Sequence, residues 1–276
     1  MLNVNVEAVT PLVLTYNEEA NIRRVLESLQ WAKRIIVVDS GSTDGTEGIC
    51  RNYPNVLWRV RVFDSHAAQW NYGIFESGIE TEYVLALDAD MEVPTAVAEE
   101  LGREFLPRGF DGGVLGFQFR MGGVPLLGSL YPPDLRIFRK QNVRVQQVGH
   151  TQRFFAIGTT YRFKNRLVHD DRKGVDRWVD SQLRYSLLEA EHLTHSPGGG
   201  FRRSLRSAGV MPVLAGLYAY CRSGGPLKGQ ASLEYAYQRA VYESILAMRL
   251  FRSSARFAVG QSGVVTESRS ERDGAA

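Results

Sequence analysis

The sequence is poor in several things that would each have announced a class. Only Cys50 and Cys221 are present, so no disulfide framework stands behind the fold, and the thiol usage fits a reducing compartment. No apolar run approaches the about 18 residues that a spanning helix needs. The nearest, "AGVMPVLAGLYAYC" (208–221), is too short and is broken by Pro212. The start, "MLNVNVEAVT", has neither a basic segment nor an apolar one, which argues against a secretory leader. The formal net charge is only +3 across 276 residues, giving no electrostatic case for nucleic-acid binding. Internal repeats are absent as well.

What is present reads as an α/β protein. Short apolar runs at 8–16, 34–39, 55–63 and 82–88 alternate with helical patterns at 17–32, about 47–52, about 67–77 and 94–106. In the first of these helices Asn17 is expected as the N-cap, with acids in the first turn; in the last, Pro94 is expected at the first position. Such alternation implies a mostly parallel central sheet flanked by helices, with ligands bound beyond the carboxyl ends of the strands. Residues 1–170 are read as one domain, an alternating α/β part over about 8–107 followed by a β-rich and irregular part over about 108–170. A C-terminal helical extension is expected over 171–255, followed by a disordered polar tail at 256–276.

Chemistry concentrates at the strand ends. The first strand–helix turn, "TYNEEAN", contains neither the dinucleotide fingerprint nor a P-loop, which disfavours hydride transfer and kinase chemistry. Asp39 ends the second strand in "VVDSGSTDGT", where a carboxylate could accept from a nucleobase N–H or simply cap the turn; the residue alone does not decide. The fourth strand runs into "VLALDAD". Asp88 and Asp90, two residues apart, are expected on one side of the strand, where paired carboxylates can share a hard divalent cation with phosphate oxygens.

"LTYNEEANI", "VVDSGSTDGT" and "LALDAD", in that order and spacing, resemble the family 2 glycosyltransferases of GT-A fold over about residues 8–170. The resemblance implies inverting transfer of a sugar from a nucleotide-diphosphate donor assisted by Mg²⁺ or Mn²⁺, with no organic cofactor. It makes residues 1–170 the catalytic domain, nucleotide-binding over about 8–107 and acceptor-binding over about 108–170. It implies nucleotide-sugar contacts at Thr15, Tyr16, Asn17, Glu18, Asp39, Ser40, Gln69, Asn71 and Asp88, and a metal at Asp90 with Asp88. "FDSHAAQWNYGI", "YPPDLRIFRK" and "LVHDDRKGVDRWVDSQLRYSLLEAEHL" resemble the lipopolysaccharide-core glucosyltransferase branch, which points to UDP-glucose and a lipid-linked glycan acceptor. Three departures stand out: Trp70 where relatives often carry Arg, Met91 where the D-x-D is usually followed by an acid, and His150-Thr151 where many relatives have His-Glu.

An inverting transfer needs a base. The candidates are Asp134, His150, Asp171 and Asp170, with Asp134 ranked ahead of Asp171; Asp134 reads equally as a turn residue after two prolines, and for Asp170 and Asp171 an N-cap of the following helix is the plainer alternative. Arg136, His150 and His169 are candidate phosphate or acceptor contacts, and Arg136 and Arg139 are expected on one side of a strand. Between Phe201 and Arg252 basic residues outnumber Glu234 and Glu243, so these helices either lie on an anionic membrane or cap the catalytic domain. The expected location is the cytoplasm, peripherally at the inner membrane. Two other readings remain open: a nucleotidyltransferase, disfavoured by "TYNEEAN", and an inactive sugar-nucleotide-binding protein.

Overall fold

The computed structural model describes residues 6–148, 151–195, 204–206 and 208–262. The elements run β1 (Val9–Thr15), α1 (Ile22–Ser28), β2 (Ile35–Asp39), α2 (Thr46–Cys50), β3 (Val56–Val60), α3 (His66–Phe75), β4 (Tyr83–Asp88), β5 (Met91–Glu92) and α4 (Thr95–Glu100) in the first part. Then follow β6 (Gly112–Met121), β7 (Val124–Pro125), β8 (Asp134–Arg139), β9 (Val143–Val148), β10 (Thr151–Ala156) and β11 (Thr160–His169). Three long helices close the chain: α5 (Val175–His195), α6 (Met211–Ser223) and α7 (Gln230–Ser262).

The main sheet has the order β3-β2-β1-β4-β8-β6-β11-β5, with β7 paired to β6 and a separate β9–β10 hairpin. β3, β2, β1 and β4 are parallel to one another; β8 runs against both β4 and β6, and β11 is again parallel to β6. Residues of the central strands alternate between two cores because strand side chains point to opposite faces. Val13, Ile35, Val37, Leu85 and Leu87 pack with Ile22, Val25 and Val97 on the side of α1 and α4. Leu12, Ile36, Val38, Val84 and Ala86 pack with Trp70 and Ile74 of α3 and Phe154 of β10 on the other. Coverage of both faces explains why β2 and β4 read as unbroken apolar runs.

Several local expectations are corrected. Asn17 is not a helix cap: α1 begins at Ile22 after Asn21, and Asn17 sits in the left-handed region at φ 54, a conformation Asn tolerates better than most side chains. Pro94 precedes α4 as its cap rather than occupying the first helical position. Arg136 and Arg139 are three apart and fall on opposite faces of β8: Arg136 meets Asp88, while Arg139 meets the Tyr83 hydroxyl. Trp70, the departure in the third helix, is fully buried and stacks edge-on against Phe154. Met91 is buried and Glu92 bonds Arg24, so neither extends the D-x-D acid set.

The C-terminal helices form a cap. α6 and α7 pack along each other, and Ala219, Ala231 and Tyr235 bury Phe119 and Leu126 of the sheet region. Much of the expected basic surface is consumed inside this cap. Arg206 makes a two-pronged ion pair with buried Glu243 at 2.8 and 2.8 Å, Arg249 reaches Ser186 and the Leu183 carbonyl, and Arg239 lies over the Tyr242 ring. α7 continues to Ser262, beyond the expected boundary at 255, and residues 263–276 lie outside the described residues. No described helix is long and apolar enough to cross a membrane.

Trp70 is the largest fully buried side chain of the molecule. Trp70→Ala should cost about 3–5 kcal/mol of unfolding free energy, read as a lowered urea midpoint at unchanged slope.

Candidate active site

The strand order brings three polar strand ends side by side. In the register, Thr15 of β1 faces Asp39 of β2, and Leu14 of β1 faces Asp88 of β4. Asp39 is 2% exposed. Its carboxylate accepts from the Thr15 hydroxyl (2.9 Å), the Ser42 hydroxyl (2.5 Å) and the Gly41 and Ser42 backbone N–H groups (2.8 and 2.7 Å). A carboxylate offers about four acceptor positions, and here protein donors take them all. Gly41 can lead this turn because its φ of 93 is open to glycine. Asp39 therefore holds the β2–α2 loop in place, the turn-capping alternative of the two.

That loop is laced to "TYNEEAN". The Asn17 N–H donates to Ser42 Oγ (2.7 Å), Thr43 N–H donates to Asn17 Oδ1 (2.7 Å), and Glu18 N–H donates to Thr46 Oγ1 (2.8 Å). Glu19 N–H reaches Asp44 and Gly45 N–H reaches Glu19. Gln69, buried on α3, donates to Ser40 Oγ and the Arg61 carbonyl and accepts from Arg61. Gln69 and Ser40 thus stand together at the cleft wall. Asn71 does not join them: its amide bonds the Ala67 carbonyl of its own helix, and it is no part of the cleft wall. Tyr16 is half-exposed at the rim, with Arg177 over its ring and bonded to its carbonyl.

Across from this loop pair lies an acidic cluster. β11 ends against β5, which places the Asp170 N–H on the Asp90 carbonyl (3.0 Å) and His169 Nε2 at 3.6 Å from Asp90 Oδ2. His169 is fixed by face-to-face stacking on Phe119 at 4.3 Å. Glu18 accepts from Asn21 (2.9 Å) and pairs with Lys173 Nζ (2.6 Å); Asn21 also donates to Asp171 Oδ1 (2.8 Å), and Lys173 lies 3.7 Å from Asp171. Burial pushes the Glu18 carboxyl up to about 7, with Lys173 opposing and the Asp90 charge adding to the rise. Asp90 is also held above the usual carboxylate range, first by burial and then by Asp171 and Asp88, while His169 and Lys173 oppose. Burial acts to depress the Lys173 ammonium, but Glu18, Asp90 and Asp171 outweigh it and keep it raised and charged.

Asp88 faces the cleft and receives Arg136 Nη1 at 3.2 Å; Arg136 Nε lies 3.3 Å from Asp134 Oδ2. One guanidinium therefore ties the metal-candidate strand end to the first base candidate. Asp134 opens β8 from "YPPD", is about one-third exposed, and otherwise accepts only from the Leu135 N–H. Asp171 also borders the cleft but is engaged with Asn21 and the Lys173 N–H. Asp170 is fully buried, bound to Arg172 at 2.9 and 3.1 Å, and away from the cleft; it is neither a base in reach nor the cap of α5. His150 lies outside the described residues.

Among the described residues no group of three or more His, Cys, Asp or Glu could hold a metal ion unaided. The residues nonetheless fit a cation that is shared with a ligand. Asp90 Oδ1 is buried without any hydrogen-bond partner, Asp88 stands two residues away, and His169 adds a nitrogen donor. Hard cations commonly take one or two carboxylates and complete their shell with water and substrate phosphates.

All of this borders one cleft of about 2590 Å³, lined from Thr15, Glu18 and Ser40 through Asp88, Asp90, Asp134 and His169 to residues of α5, α6 and α7. That is far more than the roughly 300–1,000 Å³ of a small-molecule site, so it has room for a donor and an acceptor together. Asn21 was not singled out from the sequence, and Lys173 only as a cation flanking Asp170 and Asp171. Asn21 closes "TYNEEAN" and Lys173 follows "HDD", but only the fold reveals that 150 residues of separation bring them to one Glu–Asp pair.

With this geometry in view, the comparisons with known proteins place the chain. Residues 12–166 match Glycosyl transferase family 2, and the chain belongs to that family. It is a glycosyltransferase, of the hexose-transferring kind. It is 25% identical over 257 residues to the lipopolysaccharide core biosynthesis glycosyltransferase LpsC of Rhizobium meliloti (strain 1021), covering 88% of this chain and 92% of that one. It is 30% identical over 111 residues to the succinoglycan biosynthesis protein ExoA of the same organism, a match spanning 37% of this chain and 34% of ExoA. Among solved structures it is similar to Staphylococcus aureus TarS 1–349 in complex with UDP-GlcNAc, with a TM-score of 0.48 and 17% identity over 89% of this chain and 92% of TarS 1–349.

Lys173 is the cation that balances Glu18. Lys173→Met should destabilise the protein by about 3–5 kcal/mol at pH 8, because one partner of a buried pair is left charged and alone. A buried carboxyl that folds with a raised pKa loses stability as pH climbs from its unfolded value of 4.5 toward its folded value. Urea midpoints should therefore show the variant's deficit shrinking at pH 5.5, where Glu18 folds protonated.

Proposed function

We propose that this chain is an inverting transferase. It moves a hexosyl group, glucose from UDP-glucose as the first candidate, onto a saccharide of a cell-envelope glycan such as lipopolysaccharide core. The observation that carries the reading is the strand-end arrangement: Asp88 and Asp90 at the cleft, with the unpartnered Asp90 Oδ1, beside the laced loops of β1 and β2. Family membership supplies the reaction class, and the likeness to LpsC supports the kind of acceptor.

The nucleotide end rests against Thr15, Tyr16, Ser40 and Gln69 at the loop pair, with Asn17 and Asp39 positioning them from behind. A base N–H could reach Asp39 only by displacing the Ser42 hydroxyl. Asp90, Asp88 and His169 would hold Mg²⁺ or Mn²⁺, which would supply positive charge against the diphosphate leaving group. Asp134 accepts the proton of the acceptor hydroxyl as that oxygen bonds the anomeric carbon from the face opposite the departing diphosphate. Arg136 orients Asp134 and offsets its charge against Asp88. Asp171 has the weaker claim as base, since Asn21 and the Lys173 N–H already occupy one of its oxygens.

Two substitutions separate the roles. Asp134→Asn should lower kcat by about 10²–10⁴-fold in transfer from UDP-glucose to a lipopolysaccharide-core extract, while leaving UDP affinity within a small factor. Asp90→Asn should abolish the dependence of UDP affinity on Mn²⁺ in calorimetric titration. Full transfer by the first variant would remove Asp134 from the mechanism. Unchanged Mn²⁺ dependence in the second would remove Asp90 from the donor site.

A further inference from the structure

α6 stands at the edge of the cleft, and its two exposed strips face different surroundings. Leu214, Tyr218 and Arg222, spaced by four, line the cleft. Val213, Leu217 and Cys221, each one residue earlier, are exposed but form no part of its wall. One residue on a helix is a rotation of about 100°, so the second strip lies on the outward side of the same rim. Val213 and Leu217 are 61% and 60% exposed, as bare as surface lysines usually are. At the C-terminal end of the helix the strip runs into two more uncovered side chains, Leu227 (82%) on the turn toward α7 and Leu127 (57%) after β7. Both flank Gly224: the Leu227 N–H donates to the Gly224 carbonyl, and the Leu127 N–H to the neighbouring Ser223 carbonyl.

The charge of this surface has one sign. From Ala208 to Leu233 the only charged residues are Arg222 and Lys228, and no acid occurs. Lys228 directly follows the exposed Leu227, and Arg222, on the cleft side of the last turn of α6, lies against Gly128 next to the exposed Leu127. An exposed apolar strip with basic residues at its end, on a helix too short to span a bilayer, is complementary to the surface of an anionic membrane. The chain after Leu127 then leads straight into the cleft, since Ser129 to Asp134 form its wall.

We infer that the outward strip of α6, with Leu127 and Leu227 at its end, rests on an anionic lipid surface and so sets the mouth of the cleft against the membrane. A saccharide carried on a lipid would enter between α6 and the Ser129–Asp134 segment, with its sugar end reaching Asp134. The basic residues of the cap as a whole are not the contact, because Arg206 and Arg249 are used internally. The surface contact rests on the exposed side chains alone; its consequence for the acceptor rests on the proposed glycosyl transfer.

Sedimentation with vesicles of phosphatidylcholine, and of equal parts phosphatidylcholine and phosphatidylglycerol, tests the contact on the full chain. The protein should pellet with the anionic vesicles and remain in solution with the neutral ones. Lys228→Glu should weaken partitioning about fivefold or more, as expected for one cation at the surface. The Val213→Asp, Leu217→Asp double variant should no longer pellet. Thermal melting of each variant, with UDP-glucose hydrolysis in solution, checks that folding and the donor site are intact; vesicle binding does not require turnover, so it is read independently of the proposed reaction. No binding to anionic vesicles would overturn the inference, and so would binding that survives the double aspartate variant. Analytical ultracentrifugation supplies a third outcome: a dimer that this double variant splits would show that a second copy of the chain, not lipid, covers the strip.

Discussion

Carboxylates resist being gathered out of water, and this protein gathers four of them, Glu18, Asp88, Asp90 and Asp171, around the carboxyl end of β4. Taking even one such charge into a protein interior is unfavourable unless opposite charge or hydrogen bonds offset it. Lys173, the Arg136 guanidinium and the Asn21 amide offset part of it. Asp90, raised by burial and by its acidic neighbours, is left with a buried oxygen that has no hydrogen-bond partner among the described residues. That residual deficit of positive charge is what a cation with a diphosphate would fill. Much of the architecture serves to hold it: β11 exists at the Asp90 turn to deliver His169 and the "DDRK" segment, and the β1 and β2 loops are laced so that Glu18 cannot withdraw.

The central α/β half was legible because its strands are buried on both faces and its helices are amphipathic, signals that depend on local pattern alone. The D-x-D was legible as two carboxylates where an apolar run stops, but Asp90 lies in the turn after β4 and not on the strand, so strand periodicity does not place it. Other features required the fold. Asn17 looked like a helix cap because Asn before acids commonly is one; its Oδ1 instead takes the Thr43 N–H, a contact made by a loop 26 residues away. Asp39 could not be assigned from its own neighbours, since only the turn geometry shows Thr15, Gly41 and Ser42 filling its acceptor positions. Asp170 and Asp171 are adjacent in sequence yet differ completely in setting: one is sealed under Arg172 and the other borders the cleft.

Two of the three departures from the family pattern resolve in the same terms. Trp70 fills the core beside Phe154 and Phe138. Met91 does likewise, and Glu92 turns to Arg24, so the acidic cluster is completed from β11 and the β1–α1 loop rather than by a third acid after the D-x-D. Asp134, arriving from the antiparallel β8, is tied by Arg136 to Asp88, which fixes the proposed base relative to the proposed metal end. The mixed direction of the sheet is what makes this possible: a parallel strand at that position would have delivered its carboxyl end, and not the start of "DLRIFR", to the cleft.

The account turns on whether the Asp88–Asp90 end is a metal site completed by the donor. Electron paramagnetic resonance of Mn²⁺ titrated with the protein, alone and with UDP, measures this directly. The account predicts weak retention of Mn²⁺ by the protein alone and strong, stoichiometric retention once UDP is present. Equal Mn²⁺ signals with and without UDP would contradict it, as would UDP binding that is indifferent to Mn²⁺.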